Sequence, residues 1–198
     1  EEEAGEDLLK MGGAGGLSIF ADRVLRRVIV RIPWLVPPLI GGLLVGKIQH
    51  TFATLHPADF VALVLFIPVM MGTAGNVAVQ SSTLVVRGLA TGEIKPGRVL
   101  QILLGEIRVG FLIGIFCGLL IGAAGALFNR VQIGLVVSLS MLVAITAAAL
   151  NGTACPLLLN RLKADPAISA VPFITALNDI TATLIYMLVA LTLLKAFA

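Results

Sequence analysis

The chain has 198 residues, of which 58% are hydrophobic and only 13% charged, with a net charge of +3 and a mean hydropathy of +1.04. A water-soluble domain of this size normally carries about a quarter charged residues, so most of this surface must face lipid. The acidic start, Glu1 to Asp7, does not look like a secretory signal, which opens with positive charge and then an apolar core. It reads as the tail of something upstream or as an expression boundary.

Residues 1–27 read as a cytoplasmic remnant, a linker and a connecting or interfacial helix. The linker is the glycine run Gly12, Gly13, Gly15 and Gly16. From Ser18 to Arg27, Phe20, Val24 and Arg27 fall on one helical side and Asp22, Arg23 and Arg26 on another, as expected for a helix lying at anionic headgroups. Five apolar blocks follow within 28–198, at about 28–48, 60–86, 105–128, 131–159 and 171–194. Each is long enough to cross a hydrocarbon core of about 30 Å as a helix. Helices satisfy their backbone polar groups internally, and the short alternating segments of a transmembrane β-barrel are missing. The expected class is therefore an all-α, multi-pass integral membrane protein with five spans, and the third and fourth spans must join through a tight hairpin at Asn129–Arg130.

Positive charge orients the spans. With the N-terminus in the cytoplasm, Lys10, Arg23, Arg26, Arg27, Arg31, Arg87, Lys95, Arg98, Arg108, Arg161 and Lys163 lie inside. Only Lys47, Arg130 and Lys195 lie outside. The positive-inside rule thus favours N-terminus in, C-terminus out and an odd number of spans. The expected location is the cell inner (plasma) membrane.

Asp179, in the fifth span, is the outstanding ionisable residue. A lone Asp at a helix centre costs about 2.5–3.5 kcal/mol on insertion scales, and buried membrane carboxylates usually mark ion or proton pathways. On a helix it shares a face with Thr175, Ala182 and Tyr186, and Pro172 lies two turns before it. A structural alternative is a carboxyl hydrogen-bonded to Thr175, Asn178 or Thr181. The second span supplies a matching element, interrupted by Pro68, Gly72 and Gly75. Thr73, Asn76, Gln80, Thr83 and Arg87 follow one helix face. Such a stripe either packs against another helix or lines water. Broken helices with exposed carbonyls commonly coordinate cations in membranes.

Other features carry less. His50, His56 and Asp59 sit in the outer loop. Glu106 and Arg108 read as interface snorkelling. Cys117 and Cys155 read as small apolar residues. No phosphate loop, nucleophile elbow or HExxH motif is present, so an enzyme is not expected. Nor is nucleic-acid binding, for want of a basic, aromatic surface.

Two motifs carry a family resemblance. Pro68-Val-Met-Met-Gly72-Thr-Ala-Gly-Asn76-Val-Ala-Val-Gln80 resembles the second-helix motif of the MgtE magnesium channels. Asp165-Pro166-Ala167, followed by Pro172, Thr175, Asp179 and Tyr186, resembles the start and body of that family's fifth helix. Glu6 to Gly12 resembles the junction leaving its cytoplasmic module. The chain departs from the pattern at Ala74, Val79, Ala176 and Ala182. The resemblance implies a homodimer whose second and fifth helices surround a central pore. In that pore Asp179 supplies the ion-binding carboxylate, with Asn76, Thr73 and the Gly72–Gly75 backbone nearby and Gln80 and Asp165 as secondary candidates. It also implies CBS-type regulatory domains that sense cytosolic magnesium and close the pore.

The expected cargo is Mg2+, with Mn2+ or other divalents as further candidates. Magnesium sheds water reluctantly and prefers octahedral oxygen geometry, so one or two carboxylates plus its own waters suffice. No thiolate or His cluster at this depth favours zinc or copper. A proton- or sodium-coupled divalent-cation transporter using the same Asp remains the alternative.

Overall fold

The computed structural model describes residues 9–10, 13–18, 22–163 and 166–197; the side chains of residues 58, 59, 96, 166–170 and 197 lie outside that description. Among the described residues the regular structure is helical, with no strand. The helices are α1 (Val24–Leu55), α2 (Pro57–Val64), α3 (Ile67–Ala90), α4 (Val99–Phe128), α5 (Val131–Arg161) and α6 (Pro166–Phe197), with a short 3-10 turn at Pro96–Arg98. This is a membrane protein. Among the described residues four helical stretches are long and apolar enough to cross a bilayer: Val24–Leu55, Val99–Phe128, Val131–Arg161 and Val171–Ala196.

Residues 19–21 of the expected interfacial helix lie outside the described residues. Helix α1 starts at Val24 and runs without interruption into the first apolar block, so Arg26, Arg27 and Arg31 ride on its first turns. Asp22 organises this start: it accepts the Ser18 backbone N–H at 2.7 Å and pairs with the Arg26 guanidinium at 2.6 Å. Pro33, Pro37 and Pro38 are accommodated inside α1.

The block at 60–86 is two helices and not one. α2 ends at Val64 and α3 begins at Ile67, with Pro68 in its first turn. A proline ring clashes with the carbonyl four residues earlier and offers no N–H, which places the break at residues 65–66. Tyr186 of α6 donates its hydroxyl to the Leu63 carbonyl oxygen at 3.3 Å, on the last turn of α2. Tyr186 and Leu63 are both fully buried. α3 is not among the long apolar stretches because Thr73, Asn76, Gln80, Ser81, Ser82 and Thr83 interrupt it.

α5 is the centre of the bundle. It packs against α4, α6 and α3, while α1 leans on α6. Val136, Val137, Met141, Ala144, Ile145, Ala148 and Ala149 of α5 are all fully buried. The α4–α5 contact is made by a row of glycines, Gly110, Gly114, Gly118, Gly122 and Gly125, all buried. A Cβ at Gly118 would lie 2.6 Å from the Ser138 carbonyl oxygen, and one at Gly114 2.9 Å from that of Leu142. Without side chains on this row the two backbones approach closely, the usual route to tight helix association in lipid. Ser138 adds a hydrogen bond, its hydroxyl donating to the Gly118 carbonyl at 2.9 Å. The turn between these helices is Asn129–Arg130.

Candidate ion site between α3 and α6

α3 turns its small apolar residues inward. Ala74, Val77, Ala78, Ser81 and Val85 are buried, and Gly152 of α5 sits so close to Ala78 that a Cβ there would overlap the Ala78 carbonyl oxygen. The opposite face carries Asn76, Gln80, Thr83 and Arg87, which are exposed on the single chain. α6 has a comparable division. Ile174, Asn178, Ala182, Thr183 and Tyr186 are buried, while Thr175 and Asp179 are only partly covered.

Where these helices meet, Met71, Gly72, Gly75, Asn76 and Val79 of α3 face Thr175 and Asp179 of α6 across an open groove of about 310 Å³. The structure therefore brings together five of the sequence candidates: Asp179, Asn76, Gly72, Gly75 and Thr175. It does not bring the others there. Thr73 donates to its own-helix Val69 carbonyl at 2.7 Å and does not line the groove. Ala182, which shares a helix face with Asp179 by spacing alone, is 1% exposed and packs inward. Gln80 is exposed beyond the groove. Asp165 lies outside the described residues.

The carboxylate of Asp179 has no hydrogen-bond or ion-pair partner among the described residues. The neighbours that could have occupied it are engaged elsewhere. Thr175 donates to the Val171 carbonyl at 2.8 Å, and Thr181 to the Leu177 carbonyl at 2.9 Å. Thr181 also accepts the Asn151 amide at 2.7 Å, which ties α5 to α6. Asn178 is fully buried, its amide nitrogen beside Gly75, and neither amide atom has a hydrogen-bond partner among the described residues. Gly72 and Gly75 have no Cβ on the groove wall, so the α3 backbone itself is presented beside the Asn76 amide. Chemically, the groove offers oxygen donors: one carboxylate, one amide and a threonine hydroxyl, a set suited to a hard cation that keeps its water.

The family model for MgtE, described as a divalent cation transporter, matches residues 67–189. The chain belongs to the MgtE family. That match starts at the first residue of α3 and contains every groove residue. Among similar proteins, the magnesium transporter MgtE of Bacillus subtilis is 34% identical over 93% of this chain, which covers 41% of that protein. Those of Enterococcus faecalis and Thermus thermophilus are each 32% identical, over 100% and 99% of this chain and 43% and 44% of their own lengths. The chain thus spans about two fifths of the MgtE proteins it matches.

Several features of this MgtE chain escape a reading of its residues. Asn178 beside Asp179 is one, since nothing in a residue order says which of two adjacent polar side chains turns inward. The α4 glycine row is another, although its four-residue spacing was there to be read. Glu106 corrects the snorkelling assignment. It is half-buried and accepts the Ser81 hydroxyl at 2.7 Å, joining α4 to α3. The Asp59 side chain, grouped with His50 and His56 by sequence, lies outside the description, and among the described residues no group of three His, Cys, Asp or Glu side chains that could hold a metal occurs. Cys117 and Cys155 are free thiols.

Proposed function

We propose that this chain is the membrane pore domain of a magnesium-permeable channel, built from two copies around a two-fold axis. The observation that carries the reading is Asp179 lining a groove with Asn76, its carboxylate without a hydrogen-bond or ion-pair partner among the described residues. A carboxylate at this depth needs a compensating charge, and a hydrated divalent cation shared with the same residue of a second copy supplies it. Empty, the pair of carboxylates repels.

The exposed stripe of Asn76, Gln80 and Thr83 supports the dimer. Lipid tails offer these groups no hydrogen bonds, whereas a second copy, or water between copies, does. Gly72 and Gly75 let backbone approach the pathway, and Thr175 adds a hydroxyl one turn from Asp179. Thr73 and Ala182 shape the wall from behind. Gln80 and Asp165 act, in this reading, at the cytoplasmic approach.

The names of the relatives support magnesium as cargo. Mn2+, a hard cation of the same charge that accepts the same oxygen donors, is proposed as a second permeant. The reading places five crossings in the plasma membrane, with α2 and α3 together forming the second. The N-terminus is cytoplasmic, where CBS-type regulatory domains of the full-length protein would control opening.

The test is magnesium entry into vesicles reconstituted with the chain, followed by an enclosed Mg2+-sensitive dye. Asp179→Asn and Asp179→Ala should reduce flux to the level of protein-free vesicles while size-exclusion profiles stay unchanged. Wild-type flux in both variants removes the central site.

A further inference from the structure

A second cavity lies away from the ion groove, at the end of the bundle where α3 stops, α4 starts and α5 ends. It has a volume of about 640 Å³, and its walls include Leu89, Ile94, Leu103, Leu157 and Leu158. Asn160 and Arg161 sit at one end of it. The chain builds this space locally. The loop after α3 folds back so that the Ile94 N–H bonds the Gly88 carbonyl at 3.0 Å, and a Cβ on Gly88 would lie 2.9 Å from the Ile94 side chain. That contact holds Ile94 as one wall.

The cavity has two chemistries in one line. Its lining is mostly apolar, with the Asn160 amide and the Arg161 guanidinium among it. Arg161 is exposed and has no ion-pair partner among the described residues. Lys95, next to Ile94, and Arg98, next to Val99, are exposed basic residues adjacent in sequence to two of the lining residues. Glu93 is the one carboxylate on that loop. Water would find few partners against leucine walls, and a soluble anion would use only the rim. A molecule with an anionic head and a hydrocarbon body uses both.

We propose that this cavity is a binding site for an anionic phospholipid of the bilayer, with its phosphate at Arg161 and one acyl chain between α3, α4 and α5. Basic pockets between membrane helices on the cytoplasmic side are suited to such headgroups. The inference needs the basic end of the bundle to lie at a headgroup surface. It does not depend on which ion the protein passes. A lipid seated here ties the end of α3 to α4 and α5, and α3 is the helix that carries Asn76.

The test is native mass spectrometry of the purified full chain, delipidated and titrated separately with phosphatidylglycerol, phosphatidylcholine and inorganic phosphate. Phosphatidylglycerol should be retained in preference to phosphatidylcholine, and phosphate alone should not bind. Arg161→Ala should weaken phosphatidylglycerol about fivefold, and Arg130→Ala, at the other end of the bundle, should leave it unchanged. Leu158→Trp, at a rim position already 58% exposed, should block the cavity and abolish retention without unfolding the chain. Equal retention of the two lipids overturns the proposal. So does unchanged phosphatidylglycerol binding in Arg161→Ala and Leu158→Trp, or binding of phosphate alone, which assigns the rim to a soluble anion.

Discussion

Gly152→Ala tests whether the groove depends on the spacing of the helices behind it. A Cβ at Gly152 would overlap the carbonyl oxygen of Ala78 and lie 2.8 Å from its carbonyl carbon and Cα. These are backbone atoms, so no rotamer change relieves the contact. Carbon atoms rest at about 3.5–4.0 Å, and α3 must therefore retreat from α5 by on the order of 1 Å. Ala78 adjoins Val79 and lies three residues from Gly75, both on the groove wall. The displacement is thus delivered to the face opposite Asp179.

Overpacking of this kind costs about 1–3 kcal/mol. The better helix propensity of alanine returns roughly 0.5–1 kcal/mol. The difference is roughly 0–2.5 kcal/mol, centred near 1 kcal/mol, which is about 2–4 °C in Tm for a chain of this length. The assay pairs thermal unfolding in detergent with vesicle flux. Gly105→Ala is the control, because a Cβ there meets no heavy atom within 4 Å. Gly152→Ala should unfold earlier and conduct less, and Gly105→Ala should do neither. A Gly152→Ala protein with both Tm and flux unchanged would refute the argument from backbone contact.

Three further substitutions probe separate contacts. Tyr186→Phe removes one hydrogen bond to the Leu63 carbonyl and should lower stability by about 0.5–1.5 kcal/mol, read as a shift of the unfolding midpoint in detergent. Gly118→Val should separate α4 from α5, since the Ser138 carbonyl leaves no room for a side chain; a loss of about 1–3 kcal/mol should appear as earlier unfolding, and an unaltered midpoint would count against the glycine row as an interface. Asn178→Leu exchanges a buried, unpartnered amide for an apolar side chain of similar size and should leave stability equal or raised by about 1 kcal/mol, whereas a clear loss in the same unfolding assay would show that its amide is satisfied.

The sequence and structure agree where one-dimensional spacing decides the outcome. Long apolar runs had to become helices because lipid leaves backbone groups no other partners. The groove could be anticipated from Asp179 and from Gly72, Gly75 and Asn76, since polar groups in an apolar helix must face something polar. Disagreement begins where the third dimension decides. Thr73 lies three residues before Asn76 and Ala182 three after Asp179, close enough in angle to share a face by spacing. Packing of α3 on α5, and of α6 on both, turned the groove toward Thr175 and Val79 instead. Glu106 depends on Ser81, 25 residues away on another helix, and no local pattern announces that pairing.

Pro68 links the local and the global readings. The chain breaks at residues 65–66, and Pro68 stands in the first turn of α3, where its missing N–H has no intrahelical acceptor to lose. A broken helix leaves carbonyls without partners in a medium that supplies none. The Leu63 carbonyl, beside the break, accepts both the Phe66 N–H at 3.1 Å and the Tyr186 hydroxyl of α6 at 3.3 Å. Asp179 lies two helical turns from Tyr186 on the same helix. The contact that closes the break therefore also fixes α6 beside α3, and with it the carboxylate beside Gly72, Gly75 and Asn76. The break and the groove are thus joined by one contact: the Leu63 carbonyl, just before the break, anchors the helix that carries Asp179.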